Sequence, residues 1–307
     1  MFSIFLNVLT KIAILFLMIA VGYACGKYNI ISDGGAKEMT AVLFWIVTPC
    51  LIISSVQDVT GKVSIENLIL SGVLSAVCIA VAIGFSYLLF RKHSAQRKNI
   101  LRFAVSYSNC GFMGLPLASA LLGPEGVAYA SIFIAVFNLF VWTHGVSCMK
   151  QKAEFSYRKA LLNPGTVGLA VALGLSIFSY RLPEIFLSPM QFFSGLNTPL
   201  AMLVIGVYIS EVPLNELFSD SVLYWLALAR LLVIPMLCFF LLLPFHVDQI
   251  VFTTLLILIS APTAANSVMF AAQFGCDTRL GSKAVALTTL LSAFTMPLFP
   301  TLVNYFS

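Results

Sequence analysis

The chain has 307 residues, of which 60% are hydrophobic and only 9% are charged, and its mean hydropathy is +1.00. A soluble domain of this length needs more charge to cover its surface, so lipid must solvate much of this protein. The composition therefore excludes a soluble binding module and a nucleic-acid-binding role, and the net charge of +5 reflects an uneven distribution of basic residues between connections.

Ten apolar runs are each long enough, at roughly 20 residues, to cross about 30 Å of hydrocarbon as a helix. They lie approximately at residues 8–25, 39–56, 67–90, 101–122, 126–149, 161–180, 189–210, 221–243, 249–272 and 284–305. The first is interpreted as a retained span rather than a signal peptide, because Lys11 interrupts it and no basic segment precedes Lys11. The connections are short, and none holds an inserted soluble domain.

Lysine and arginine are distributed unevenly among these connections. The odd-numbered connections hold thirteen of the 17 basic residues, whereas the even-numbered ones hold only Lys62 and Arg181. Because basic residues concentrate on the cytoplasmic side, the odd connections are predicted to be cytoplasmic and both chain termini non-cytoplasmic. The predicted location is a cell membrane of the bacterial inner-membrane type.

Prolines recur at matching places in the two halves of the chain. Thr48-Pro49 lies in the second run and Thr198-Pro199 in the seventh, while Pro116 lies in the fourth and Pro262 in the ninth. Each half therefore has five spans, with proline in its second and its fourth. Because five is odd, the second half must enter the membrane upside down, which is the inverted-repeat plan of secondary transporters.

The predicted fold is an all-α membrane domain of ten transmembrane helices, built as two inverted five-helix repeats over residues 1–150 and 151–307. Spans four and nine are expected to be broken, since proline removes a backbone donor and such a break must face protein or a water-filled cavity. Two breaks that cross at mid-membrane would present half-helix N-termini that suit a carboxylate. The residues predicted to bind substrate are Asn109, Gly111, Gly114, Pro116, Pro262, Thr263, Asn266, Thr48, Thr198 and Arg230.

Two kinds of polar residue within the spans leave alternatives open. Arg230 lies near mid-bilayer, where an unpaired arginine costs at least about 3 kcal/mol. It is interpreted either as an attractor for an anion or as a donor to carbonyls that a neighbouring break sets free. Asn109 and Asn266 would bind substrate or would instead form hydrogen bonds between helices that proline merely kinks for packing.

The twelve acidic residues all fall in connections or at span ends. No carboxylate is therefore expected at mid-membrane, which argues against a carboxylate proton relay or a sodium site. His144, beside Trp142, is interpreted as a residue of an interfacial aromatic belt, with a proton-carrying role as the alternative. The seven cysteines show no CxxC pattern and no Cys/His cluster, so no metal or other cofactor is predicted.

Several motifs resemble those of the auxin efflux carrier family, which includes plant exporters and bacterial permeases for malonate or malate. The fourth run carries Asn109-Cys-Gly-Phe-Met-Gly-Leu-Pro116, which is similar to the fourth-helix motif of that family. The resemblance covers essentially the whole chain and continues through Arg158-Lys-Ala-Leu-Leu-Asn163-Pro164, Asn197-Thr-Pro-Leu-Ala-Met202, Arg230-Leu-Leu-Val-Ile-Pro235, and Ala261 to Asp277.

This resemblance implies a ten-helix fold with scaffold and transport subdomains drawn from both halves. It implies that helices four and nine cross at their prolines, beside the substrate carboxylate, and that two copies pair through the scaffold side. Spans five and six are joined by only about a dozen residues. The long cytoplasmic loop of the plant members is therefore absent, and auxin itself is not implied as the substrate.

The sequence thus predicts a secondary carrier, for efflux or uniport, of a small organic anion such as a mono- or dicarboxylate, working by alternating access. Its predicted partners are that anion, the lipid bilayer and a second copy of the chain, with no nucleic acid. The alternatives are a proton- or sodium-coupled symporter of the same fold, a channel and a membrane sensor. An enzyme is not predicted, because the spans lack His, Asp or Cys groups within reach of one another.

Overall fold

The computed structural model describes residues 2–59, 63–91, 93–149, 162–178, 180–218, 220–245 and 247–306. Within these ranges the secondary structure is helical, apart from an isolated antiparallel bridge between Ser108 and Thr263. The helices are α1 (Phe2–Lys27), α2 (Asp33–Val59), α3 (Ile65–Leu88), α4 (Ala95–Ser106), α5 (Cys110–Met149), α6 (Pro164–Ile177), α7 (Glu184–Ser210), α8 (Leu214–Leu217), α9 (Ser221–Phe245), α10 (Gln249–Ser260), α11 (Asn266–Phe274) and α12 (Thr278–Phe306).

Some sequence predictions lie outside the described residues. They are the boundary between the two halves at residues 150 and 151, the whole connection between spans five and six, and the start of the Arg158 motif. The same holds for several basic residues on which the predicted orientation depends, namely Lys62, Lys92, Lys150, Lys152, Arg158 and Lys159.

Seven of the described helices are long and apolar enough to cross a membrane, namely α1, α2, α3, α5, α7, α9 and α12. Helices α6 and α10 are apolar but shorter, with 14 and 12 residues. The predicted connection between spans four and five is a break at Gly123, where two helical segments meet within the 40-residue α5. Its φ of 61° is a conformation that glycine adopts without steric cost. A multi-pass helical membrane protein is thus confirmed.

Polar side chains at the ends of short connections start several of the helices. Ser64 accepts a hydrogen bond from the Asn67 N–H at 3.1 Å, and Asp277 accepts one from the Leu280 N–H at 2.9 Å. Asn163 accepts from the Thr166 N–H at 3.0 Å and precedes Pro164, which needs no donor at the first helical position.

Three of the long helices widen into a π-turn directly before a proline. The π-turns are Leu43–Val47 in α2, Cys110–Gly114 in α5 and Ala229–Val233 in α9, and each ends two residues before Pro49, Pro116 or Pro235. Proline cannot donate to the carbonyl four residues earlier and clashes with it. Widening the helix by one residue relieves that clash while the chain stays helical.

The closest helix packing is between α1 and the second half of α7. A Cβ added at Gly22 would lie 2.3 Å from the Leu203 carbonyl oxygen, and one at Gly206 would lie 2.2 Å from the Ile19 carbonyl oxygen. Only glycine allows two backbones to approach this closely, as at other contacts between membrane helices. Buried residues of this pair of helices belong to the same hydrophobic core as those of the interrupted helices α4, α10 and α11.

Candidate functional site

The breaks after α4 and α10 are joined by main-chain hydrogen bonds. The Asn109 N–H donates to the Pro262 carbonyl oxygen at 2.6 Å, and the Ala264 N–H donates to the Tyr107 carbonyl oxygen at 3.0 Å. These bonds form the antiparallel bridge between Ser108 and Thr263. We call the two joined segments, Tyr107–Asn109 and Ala261–Ala265, the crossing.

The crossing does not involve the two prolines equally. Pro262 lies in it, but Pro116 lies seven residues beyond Asn109, inside α5. The expectation that both helices unwind at their prolines is therefore wrong for the first of them. The π-turn Cys110–Gly114 accommodates Pro116 without unwinding, and the chain opens earlier, at Tyr107–Asn109.

Arg230 is fully buried and donates to carbonyl groups from both broken helices. Its Nη1 lies 2.9 Å from the Val105 oxygen and 3.5 Å from the Ser106 oxygen, at the end of α4. Its Nε donates to the Ala261 oxygen at 3.3 Å, and its Nη2 donates to the Ile259 oxygen. These carbonyls have lost their helical partners, and a cation suits helix C-termini. The geometry matches the carbonyl-donor interpretation of Arg230, while its contact with a substrate stays a prediction.

The hydroxyl and the N–H of Thr263 both donate hydrogen bonds to neighbouring helices. Its Oγ1 donates to the Ala104 carbonyl oxygen at 3.0 Å, and its N–H donates to Thr288 Oγ1 at 3.1 Å. The side chain is fully buried. Thr263 therefore ties the crossing to both α4 and α12.

Three buried polar side chains, two in the crossing and one at the start of the second half of α7, have an atom without a hydrogen-bond partner. They are Asn109 Nδ2, Ser108 Oγ and Asn197 Nδ2, and these residues are only 5%, 2% and 4% exposed. Leaving a buried donor unpaired costs about 1–3 kcal/mol, so each such group calls for a partner, and a bound ligand is one that could supply it. The start of α5, which follows Asn109, packs against the second half of α7, which begins at Asn197.

The two glycines predicted at the site have different surroundings. A Cβ added at Gly111 would meet no atom within 4 Å, so this residue faces open space two residues after Asn109. A Cβ at Gly114 would lie 2.7 Å from Leu258 Cδ2 and 3.3 Å from Leu258 Cα. Gly114 thus allows α5 to pack closely on α10, and Gly111 leaves room beside the crossing.

The remaining predicted residues are half-buried and lie on three different helices. Asn266 is half-buried and is the first residue of α11, directly after the crossing. Thr48 and Thr198 are half-buried on α2 and α7. One turn before Thr48, the Phe44 ring contacts the Phe112 ring of α5, with 5.4 Å between centroids.

Sequence reasoning missed Ser108 and Asn197 as candidate ligands. Both were within motifs that the sequence showed, since Ser108 precedes Asn109 and Asn197 precedes Thr198-Pro199. An amide or hydroxyl within an apolar run is itself a signal, because a polar group in hydrocarbon must find a partner. That signal could have identified both residues.

Comparison with known proteins gives a family match across the chain. The sequence model of a family described as "Membrane transport protein" matches residues 7–157 and 151–300. A protein of Methanocaldococcus jannaschii named "Uncharacterized transporter" is 24% identical over 303 residues, which cover 94% of this chain and 96% of the relative.

Two further relatives carry transporter names. One, from Methanothermobacter thermautotrophicus, is also named "Uncharacterized transporter" and is 22% identical over 304 residues, covering 96% of this chain and 98% of the relative. The other, from Rhizobium meliloti, is named "Putative malonate transporter" and is 24% identical over 239 residues, covering 71% of this chain and 74% of the relative.

Proposed function

Because this chain belongs to the membrane transport protein family, in agreement with its resemblance to the auxin efflux carriers, we propose that it is a secondary carrier of a small organic anion. Malonate, a small dicarboxylate, is the first substrate to test, since one relative carries the name "Putative malonate transporter". The anion would bind at the crossing, between the two half-helix N-termini.

The unpartnered Asn109 amide is the observation on which this proposal mainly rests. Asn109 directly precedes the first turn of α5, whose leading N–H groups have no intrahelical partner. A carboxylate at this position would accept from the Asn109 amide and from that helix N-terminus, where the positive end of the dipole lies. Ser108 and Asn197 would supply further donors, and Gly111 would leave room for the anion.

The packing of the helices supports movement by alternating access. Helices α1, α2, α6 and α7 pack mainly with one another, whereas α4, α9, α11 and α12 pack around the crossing. We propose that the first group is the scaffold and the second group the core of the transport subdomain. The two groups meet where the start of α5 contacts α7, beside Asn109 and Asn197. A rigid-body shift of one group against the other would expose this site alternately.

The contacts between connections support ten spans in two inverted halves. In a chain that crosses a membrane ten times, odd-numbered connections share one side and even-numbered connections share the other. Arg97 of the third connection pairs with Asp220 of the seventh, and Glu216 of the seventh pairs with Arg279 of the ninth. On the even side, the Leu182 N–H of the sixth connection donates to Gln57 at the second, at 3.0 Å.

The deciding experiment is uptake of radiolabelled malonate into proteoliposomes that contain the purified protein, with binding followed by thermal shift. Replacing Asn109 by leucine, which has a similar volume and no amide, is expected to weaken malonate binding at least tenfold. The reason is that a hydrogen bond to a charged group contributes about 1.5–3 kcal/mol. Counterflow of labelled malonate against an unlabelled gradient distinguishes a carrier from a channel.

The matched control is Asn138→Leu. The Asn138 amide donates to Asn163 Oδ1 at 3.2 Å, so it has a partner. The control is expected to lose stability and keep malonate affinity. Absence of flux for malonate and other small carboxylates, under either sign of membrane potential, would refute the carrier, and equal affinity in Asn109→Leu would refute this site.

A further inference from the structure

His144 lies between two tyrosines rather than alone at a membrane interface. Its Nε2 is 3.1 Å from the Tyr87 hydroxyl of α3, and its Nδ1 is 2.9 Å from the Tyr107 hydroxyl. It lies in a fourth π-turn, Val141–Gly145 of α5, a distortion that is frequent at functional sites. Tyr87 is 41% exposed and Tyr107 is fully buried, so the three side chains connect the surface with the interior.

The hydrogen bonds fix the neutral tautomer of His144. The Tyr107 hydroxyl donates its single proton to the Phe140 carbonyl oxygen at 2.9 Å, so its oxygen can only accept from His144. Nδ1 therefore carries the proton in the neutral ring, and Nε2 accepts from the Tyr87 hydroxyl. A proton from water can add at Nε2 if the exposed Tyr87 hydroxyl turns from donor to acceptor, and the heavy atoms need not move.

None of the described neighbours of His144 would neutralise a positive charge on its ring. The groups that face it are Tyr87, Tyr107 and, on the next turn of α5, Cys148, whose thiol donates to the Asn99 carbonyl oxygen at 3.7 Å. Arg102 of α4 lies behind Tyr87, with its guanidinium carbon 4.3 Å from the ring centroid. From α11, Phe270 packs against Trp142, and the Cys276 thiol donates to the Met149 carbonyl oxygen.

Arg91 is the other cation here, and its Nε donates to the Tyr87 carbonyl oxygen at 3.4 Å. The described ion pairs place no carboxylate against His144. An imidazolium at His144 would therefore have no counter-charge among the described residues, and the two arginines that contact Tyr87 add only positive charge to this region. An anion close by would stabilise the imidazolium, since opposite charges attract strongly in a poorly screened site.

Tyr107 connects His144 directly to the crossing. Its carbonyl oxygen accepts from the Ala264 N–H, and Ser108 and Asn109 follow it in the chain. A negative charge bound beside Asn109 would therefore favour a proton on His144. By thermodynamic linkage, that proton must favour the anion to the same extent.

We propose that the cluster Tyr87–His144–Tyr107 is a proton-binding site, and that binding of an organic anion at the crossing is coupled to uptake of one proton at His144 Nε2. This inference rests on the proposed anion carrier and makes it a proton-coupled one. The proton comes from water through Tyr87, and it returns to water by the same group when the anion leaves.

The test uses the purified full-length protein in detergent at low buffering capacity, with a pH-indicating dye and additions of malonate at matched pH. Near neutral pH, the wild type is expected to take up close to one proton per malonate bound. Its malonate affinity should rise as pH falls, with a slope that approaches tenfold per pH unit. His144→Gln is expected to abolish the proton uptake and flatten the slope, whereas the control His93→Gln should retain both.

A second measurement needs no substrate. In protein labelled with ¹⁵N-histidine, the resonance that is missing from the spectrum of His144→Gln is assigned to His144. The titration of this resonance is then followed in the wild type and in Tyr87→Phe. We expect this resonance to titrate, with a midpoint that shifts in Tyr87→Phe. A resonance that does not titrate, or undiminished proton uptake in His144→Gln, would overturn the proposal. If malonate does not bind the wild type, the proposed substrate fails, and the titration still decides the proton site.

Discussion

The Arg230 guanidinium has carbonyl oxygens as its hydrogen-bond partners, two from the end of α4 and two from the end of α10. All three of its nitrogens donate to them. Because the guanidinium is planar and its donors point in several directions, one residue can serve two helices at once. Arg230 thus makes two breaks tolerable in an apolar interior, where unpaired carbonyls would be costly.

Replacing Arg230 by methionine is expected to lower stability by about 3 kcal/mol or more, because several buried carbonyls would lose their donors together. Arg230→Lys should be intermediate, since a single ammonium cannot reach carbonyls on both α4 and α10. The measurement is the thermal unfolding midpoint in detergent.

The control for this prediction is Arg279→Gln. Arg279 is largely exposed and pairs with Glu216, so its loss should change the midpoint little. If Arg230→Met unfolds at the same temperature as Arg279→Gln, the guanidinium does not support the crossing.

Single residues show what a sequence can predict of a polar site and what it cannot. Asn109 was identified because an amide beside glycines and a proline in an apolar run predicts a polar site, and the structure leaves its amide without a partner. Thr263 was identified by the same pattern, but its hydroxyl already donates a hydrogen bond to the Ala104 carbonyl oxygen of α4. Which polar group is satisfied depends on neighbours far away in the chain, such as Ala104, and periodicity carries no such information.

In the helices, the sequence predicts where an interruption lies but not which form it takes. The four prolines that the sequence analysis singled out lie at or near interruptions of different form. Pro49 and Pro116 each follow a π-turn. Pro199 lies in the helix that begins at Asn197, after a turn at Leu196, and Pro262 lies in the non-helical crossing. Packing against neighbouring helices decides between these forms, so the proline alone predicts a break and not its geometry.

The contact between α1 and α7 leads to a prediction at this scale. Gly206→Ala would place a Cβ 2.2 Å from the Ile19 carbonyl oxygen and 2.5 Å from the Tyr23 nitrogen, both of them backbone atoms. The two helices would have to move apart, so we expect a loss of roughly 1–3 kcal/mol, the range for overpacking. Thermal unfolding in detergent measures this loss.

Gly174→Ala provides the control. A Cβ at Gly174, in α6, would meet no atom within 4 Å, and alanine favours a helix over glycine by about 1 kcal/mol. The control should therefore be neutral or stabilising. Equal midpoints for the two variants would show that the close approach of α1 and α7 does not contribute to stability.

At the scale of the whole molecule, hydropathy predicts ten spans, whereas helix length gives seven among the described residues. Span six is the short α6, whose 14 residues rise only about 21 Å, less than the roughly 30 Å of a bilayer core. Most of span four and all of span five lie together in α5, on either side of Gly123. Span nine is divided at the crossing into α10 and α11. Hydropathy counts apolar residues whatever their backbone conformation, so it includes the non-helical segments that a length criterion leaves out.

The proposed ten-span topology predicts where reporters fused to the chain will lie. Alkaline phosphatase fused after Ser307 should be active in a bacterial host, because the C-terminus is predicted to be non-cytoplasmic, and fluorescent protein at the same place should be dark. After residue 150 the result should be reversed, since five spans bring the chain to the cytoplasmic side, where basic residues concentrate. The measurement is the ratio of the two reporter signals at each position.

Fusions after Asp58 and Arg91 are the controls, because they flank α3, a long apolar helix that crosses by itself. They should report the non-cytoplasmic and the cytoplasmic side, respectively. Reporters on the same side after residue 150 and after Ser307 would mean that the second half crosses an even number of times, and the inversion of the two halves would be lost. If the two reporters lie on opposite sides, but each on the side opposite to its prediction, the five-and-five plan stands and only the orientation is refuted. The reason is that an odd number of crossings in each half follows from the span count and not from the charges.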